Sequence, residues 1–165
     1  MNRDKIIVEI VKGQSYPGIL KDIVIEYDYI KKVNTIKFKY DVYLNPTKII
    51  QVENVFNLWD KNSFREMSVS RIQSELSKYG VNLHYNECEN LNTVVNASKW
   101  LVGTKVEIQQ YKYNGIKYKV TKTGRMDSSR IDVLWRCMLG NKLNEFQDII
   151  EQDNIIKQDF NLSFS

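Results

Sequence analysis

Histidine, cysteine and proline are nearly missing from this chain of 165 residues, which holds one, two and two of them. Each scarcity removes a class of chemistry. His84 is the lone histidine, and its neighbours Asn82, Leu83, Tyr85 and Asn86 include no nucleophile for it to activate. A catalytic triad is therefore not expected, and a structural or solvated His84 is. Cys88 and Cys137 stand far apart, with no CxxC spacing, which gives neither a zinc site nor a disulfide framework. Phosphate-binding glycine loops, dinucleotide fingerprints, zinc-protease motifs and nucleophile elbows are absent too. The carboxylates of Asp41, Asp60, Glu87 and Glu89 show no spacing that would hold two metals. The expectation is a protein that is not an enzyme, with no cofactor and no metal.

Long apolar runs are missing as well. None approaches the roughly 18 residues that a membrane span needs. The first residues, Met1 to Lys5, lead straight into a β-like run without the apolar segment and cleavage site of a secretory leader. The expectation is a cytoplasmic protein with no membrane partner, residing in the host cell if a phage encodes it.

What is present is ordinary for a folded domain. Hydrophobic residues make up 42% and charged residues 27%, and a chain of this length buries a core without disulfides or metals. The formal charge of +4 permits a nucleic-acid partner without requiring one. Asn, Lys, Ile and Tyr are frequent, which suits an AT-rich genome such as that of a low-GC bacterium or its phage.

The first third reads as strands. Lys5 to Lys12 alternates, with Ile6, Val8 and Ile10 on one face. Tyr16-Pro17-Gly18 reads as a turn. Ile23, Ile25, Tyr27 and Tyr29 then recur at period two. The next strand sets Ile36, Phe38, Tyr40, Val42 and Leu44 against Lys37, Lys39, Asp41 and Tyr43, and Asn45-Pro46 ends it. Ile50, Val52 and Phe56 continue the alternation.

The middle turns helical. Ser63 and Glu66 fit a capping box, Val69, Ile72, Leu76 and Tyr79 follow at helical spacing, and Gly80 marks an exit. After a polar loop, a short helix from about Asn92 ends at Leu101, before Gly103. Lys105 to Tyr113 and Ile116 to Lys122 flank Asn114-Gly115, the strongest short-range hairpin signal. A long amphipathic helix starts near Ser128, and Gly140 stands where it could bend. The fold class expected is α+β: an antiparallel barrel or curled sheet with two mid-chain helices and a long C-terminal helix. Residues 1–152 form one domain, β-rich over 5–58, helical over 63–102, a hairpin over 105–122 and a helix over 128–151. Residues 153–165 read as a flexible tail.

The chemistry that stands out is aromatic residues interleaved with cations. Single strands are held by cations that follow the phosphates and rings on which bases stack. Lys37, Lys39 and Tyr43 form one candidate group. Lys112, Lys117, Lys119, Lys122 and Arg125 form another. A two-residue Asn114-Gly115 turn would oppose Tyr111 to Tyr118 and Tyr113 to Ile116, leaving Lys112, Lys117 and Lys119 on the other face. Rings and charges would then point opposite ways: the tyrosines line a core with the lysines solvated, or the basic face is a phosphate track. Tyr27, Tyr29 and Tyr40, in register with Ile, Phe and Val, also read as core. On the C-terminal helix, Trp135, Met138 and Phe146 are either core or an exposed stripe serving a dimer or partner surface.

Several stretches give the chain a family likeness: Phe56-Asn57-Leu58-Trp59, Leu76-Ser77-Lys78-Tyr79-Gly80-Val81, Leu101-Val102-Gly103 leading into Lys105-Val106-Glu107-Ile108, and the hairpin Tyr113 to Tyr118. In their order it resembles small phage replication and recombination proteins that bind single-stranded DNA with an OB-like barrel. The resemblance implies a cofactor-free viral protein that binds single-stranded nucleic acid with little sequence preference. The helix after Asp127 has no counterpart in that pattern, and the end, Gln158 to Ser165, carries one acid where such proteins have an acidic recruiting tail. The alternative is a small phage-encoded inhibitor of a host defence complex, of the anti-CRISPR kind, that acts by binding a host or phage protein or as a homodimer.

Overall fold

The computed structural model describes residues 9–152. The expected face of Ile6 and Val8 and the tail 153–165 lie outside the described residues. The order of elements is β1 (Glu9–Asp28), β2 (Val33–Asn45), β3 (Lys48–Leu58), α1 (Asn62–Ser77), α2 (Tyr85–Cys88), α3 (Leu91–Ser98), a 3-10 turn Lys99–Leu101, β4 (Lys105–Lys112), β5 (Ile116–Thr123) and α4 (Ser128–Leu139). Residues 143–152 are again helical. The five strands form one antiparallel sheet in the order β3-β2-β1-β4-β5. The α+β class and the curled antiparallel sheet match the expectation.

The long first strand organises the sheet. Its second half pairs with β2 from Gly18↔Val42 to Asp28↔Val33, and its first half pairs with β4 up to Ile19↔Lys105. Tyr16-Pro17-Gly18 is therefore strand and not the expected turn. Pro17 faces Glu107 just where the ladder to β2 has stopped, so its missing N–H leaves no gap on that side. Gly18 pairs with Val42 on one side and Val106 on the other. A Cβ there would stand 2.7 Å from Ile108 Cδ1 and 3.0 Å from the Asp41 carbonyl oxygen. Only a residue without a side chain lets β2 and β4 approach β1 so closely at this point.

The inner face carries the core. Ile36, Phe38, Tyr40 and Val42 alternate inward along β2 and meet Ile23, Phe56, Ile108 and Val120 of the other strands. Helix α1 lays Val69, Ile72 and Leu76 on them, as its spacing predicts, and Tyr79 follows just past its end. The Tyr40 and Tyr79 hydroxyls share a buried hydrogen bond. Burial raises the pKa of both phenols.

Helix α1 begins at Asn62, one residue before the expected cap, so Ser63 and Glu66 both lie within the helix and form no capping box. Its end is as read: Gly80 takes φ +77°, and the N–H groups of Gly80 and Val81 donate to Ser77 and Leu76. His84 is exposed and precedes α2, where its backbone N–H donates to Glu87 Oε1 at 3.0 Å.

A second apolar layer covers the outer face. Ile131, Leu134 and Met138 of α4, with Phe146, are buried there. Met138 is 1% and Phe146 2% exposed, so neither presents a partner surface. Trp135 is half-buried, with its ring 5.1 Å edge-on to Tyr43 and Lys105 Nζ 5.2 Å from its centroid. Of the two readings of Trp135, Met138 and Phe146, Met138 and Phe146 take the core one. Glu107 on β4 fixes the helix, accepting from Arg130 Nε at 3.0 Å and from the Thr121 hydroxyl at 2.5 Å. The expected single C-terminal helix is two. The N–H of Asn141 donates to Met138 and that of Lys142 to Cys137, with Asn141 at φ +57°. This is a Schellman end, and the left-handed position is taken by Asn141 and not by Gly140.

Candidate functional site

Strands β3 and β5 are the two edges of the sheet, and in a flat sheet they would stand about 19 Å apart. Here both line one cleft of about 570 Å³, so the sheet curls until its edges face each other without pairing. Val52 to Phe56 of β3 form one wall, and Tyr111, Ile116, Lys117, Tyr118 and Lys119 form the other. Helix α1 supplies Arg71 and Glu75, and the Arg71 guanidinium stands 5.8 Å from the centroid of the Phe56 ring.

The hairpin register decides what that second wall presents. Lys112 pairs with Ile116, Tyr111 with Lys117, Gln110 with Tyr118 and Gln109 with Lys119. The loop is Tyr113-Asn114-Gly115, three residues and not two, with Asn114 at φ +50° and Gly115 at φ +110°. Directly opposed residues of an antiparallel pair share a face, and a slip by one residue moves every side chain to the other face. Tyr111 therefore joins Lys117 and Lys119, and Lys119 Nζ lies 5.9 Å from the Tyr111 ring centroid. Lys112 leaves that group for the face of Tyr118. The expected separation of rings from charges does not occur.

The remaining candidate residues are scattered. Lys37 contacts Glu26 at 2.7 Å and Glu53 at 3.7 Å, and Lys39 contacts Glu53 at 3.8 Å. The Lys37 hydrogen bond lowers the Glu26 pKa, and the same bond raises that of Lys37. These two lysines are already paired, whereas Lys117 and Lys119 form no ion pair among the described residues. Tyr43 is half-buried and packs against Trp135 in an edge contact. Lys122 opposes Glu107 and lines a separate hollow under α4 with Arg130 and Phe146. Arg125 stacks 4.6 Å from the Trp100 ring centroid, away from both groups.

A second groove runs beside the cleft. Glu26, Tyr27, Asp28, Lys31, Thr35, Lys37 and Val55 line it, so its two cations face two carboxylates, and Val55 belongs to both hollows. The loop joining β1 to β2 overhangs it, with Tyr29 82% and Ile30 94% exposed. Tyr40 is core as read, while Tyr27 and Tyr29 are not. Sequence reasoning missed Arg71 and Glu75 as cleft residues and set Tyr111 on the face away from the lysines. The first two lie on the face of α1 beside its apolar stripe, and only the strand curl brings them to β5.

Asp60 and Glu89 meet at Arg65, at 3.6 and 2.8 Å, and Asp41 lies 3.9 Å from Lys21. Among the described residues no three His, Cys, Asp or Glu side chains converge on one point, and no helix is long and apolar enough to cross a membrane. No protein-family model matches the chain, and none of the curated proteins matches it.

Proposed function

We propose that this chain binds single-stranded nucleic acid without catalysing a reaction on it. The observation that carries the reading is the hairpin register, which gathers Tyr111, Lys117 and Lys119 on one wall of an open cleft. Rings for stacking and unpaired cations for phosphates are what a single strand requires. The sheet order supports the reading. An OB-like barrel is a partly open five-stranded barrel that holds oligonucleotides over its second and third strands, between its 1–2 and 4–5 loops. In this chain those loops are residues 29–32 and 113–115, and the exposed Tyr29, Ile30 and Tyr113 stand on them. The groove and the cleft, joined at Val55, form a track between the two loops.

Fluorescence anisotropy of a labelled single strand tests this reading. Replacing Lys117 and Lys119 with Glu should weaken binding by about tenfold or more, because two phosphate contacts become repulsions. Unchanged affinity in a folded double variant would remove the cleft from the site.

A second reading, occlusion of a host defence complex, has one observation in its favour. Trp100 is 57% exposed and carries Arg125 on its ring, and these two residue types are enriched at the energetic centres of protein interfaces. Under the first reading Trp100→Ala leaves single-strand affinity unchanged.

A further inference from the structure

Glu75 is the least exposed of the groups lining the cleft, at 5%. Its Oε2 accepts from Lys78 Nζ at 3.2 Å, and that ammonium also donates to the Val120 carbonyl at 3.0 Å. Its Oε1 is buried and accepts no hydrogen bond. A buried carboxylate oxygen without a partner is costly. Oε2 serves the ion pair with Lys78, whereas Oε1 has no partner in the fold. Burial pushes the Glu75 pKa up, against the pull of Lys78 and Arg71.

The surroundings identify what could complete it. Tyr118 and the edge of the buried Phe56 line the core-facing side of the cleft, and Tyr111, Lys117 and Lys119 line the more open side of the β5 wall. A flat ligand with an N–H edge and an attached phosphate matches these groups, and a nucleotide base has that form. The four bases differ in the edge they would turn toward an anionic acceptor. Guanine presents N1–H and its exocyclic amine side by side. Adenine and cytosine present one amine beside a ring acceptor. The N3–H of thymine is flanked by two carbonyl oxygens that would face the carboxylate.

We propose that the cleft between β3 and β5 holds one unstacked guanine of a bound strand, whose N1–H and amine edge donates to Glu75 Oε1 while Lys117 and Lys119 hold its phosphate. This inference rests on the single-strand reading and adds a base preference to it. The guanine is bound as part of a strand, so that neighbouring phosphates contribute.

The test uses the whole chain and four labelled thymine strands of about 12 nucleotides. One is all thymine, and the others carry a single central guanine, adenine or cytosine. The central guanine should tighten binding about tenfold over all thymine, with adenine and cytosine gaining less. Glu75→Leu should abolish the ratio of guanine-strand to all-thymine affinity, whatever the absolute affinity of the variant. If that variant fails to fold, the wild-type comparison still decides. Equal wild-type affinity for all four strands overturns the guanine site and leaves the single-strand reading standing. No binding of any strand overturns both. Binding of guanosine monophosphate as tight as that of the guanine strand overturns the proposal in favour of a free nucleotide.

Discussion

At Gly18 a missing Cβ lets three strands meet, and the residue shows what local sequence reading can and cannot recover. Pro followed by Gly reads as a turn because both residues favour turns. Their use here depends on two neighbours, Val42 and Val106, far away in the chain. Gly18→Ala should therefore cost about 1–3 kcal/mol of stability, as overpacking does in a core, and denaturant unfolding would read it. A neutral substitution would mean that β1 shifts to make room. Glu75 hides in the same way, since nothing in its local sequence says that α1 faces the sheet edges. Its raised pKa has a sign that can be checked. An acid whose pKa is higher folded than unfolded contributes stability below its unfolded pKa and loses it as pH rises through the folded value. Thermal melts of wild type and Glu75→Gln should show the wild type losing ground to the variant as pH rises from about 4.5 to neutrality. Comparison with the variant removes carboxylates of opposite sign such as Glu26, whose lowered pKa favours the fold at higher pH. A gap constant with pH would contradict this account of Glu75.

At the level of elements, periodicity made most of the fold legible: the alternation in β2, the stripe on α1, the Asn114-Gly115 hairpin and the start at Ser128. The hairpin was found, and its register was not. A loop of two or three residues fits Tyr113-Asn114-Gly115 equally in sequence, yet the choice decides which face every side chain takes. The register gives a sharp expectation. Lys112→Glu, on the opposite face, should weaken single-strand binding much less than Lys117→Glu, and equal losses would argue for the two-residue loop. The C-terminal helix was read as one because its apolar stripe runs on past Gly140. The break at Asn141 lets both pieces cover the outer face of the sheet. Arg130 anchors the first piece to Glu107, a carboxylate that is 1% exposed. Arg130→Met alone should cost about 3 kcal/mol, since it strands a buried charge. Adding Glu107→Leu should recover most of that in a chemical-denaturation cycle. A negligible first step would show that α4 is held by its apolar residues alone.

For the molecule as a whole, the two faces of the curled sheet do different work. Part of the outer face is covered by α4 and Phe146, where Met138 and Phe146 are buried and Tyr43 packs on Trp135. The site proposed for a ligand is the gap between β3 and β5, with Tyr111, Lys117 and Lys119 on its β5 wall, and the groove beside it holds Tyr27 and Lys31. A modest net charge of +4 is enough for such a site if the unpaired lysines are concentrated there. The most direct test is anisotropy of the wild-type chain with a labelled single strand and a duplex of equal length, across a salt series. Tighter binding of the single strand is expected. If about three phosphates are neutralised, affinity should fall roughly twentyfold over a fourfold rise in salt. No binding at low salt, or equal binding of the duplex, would contradict the account.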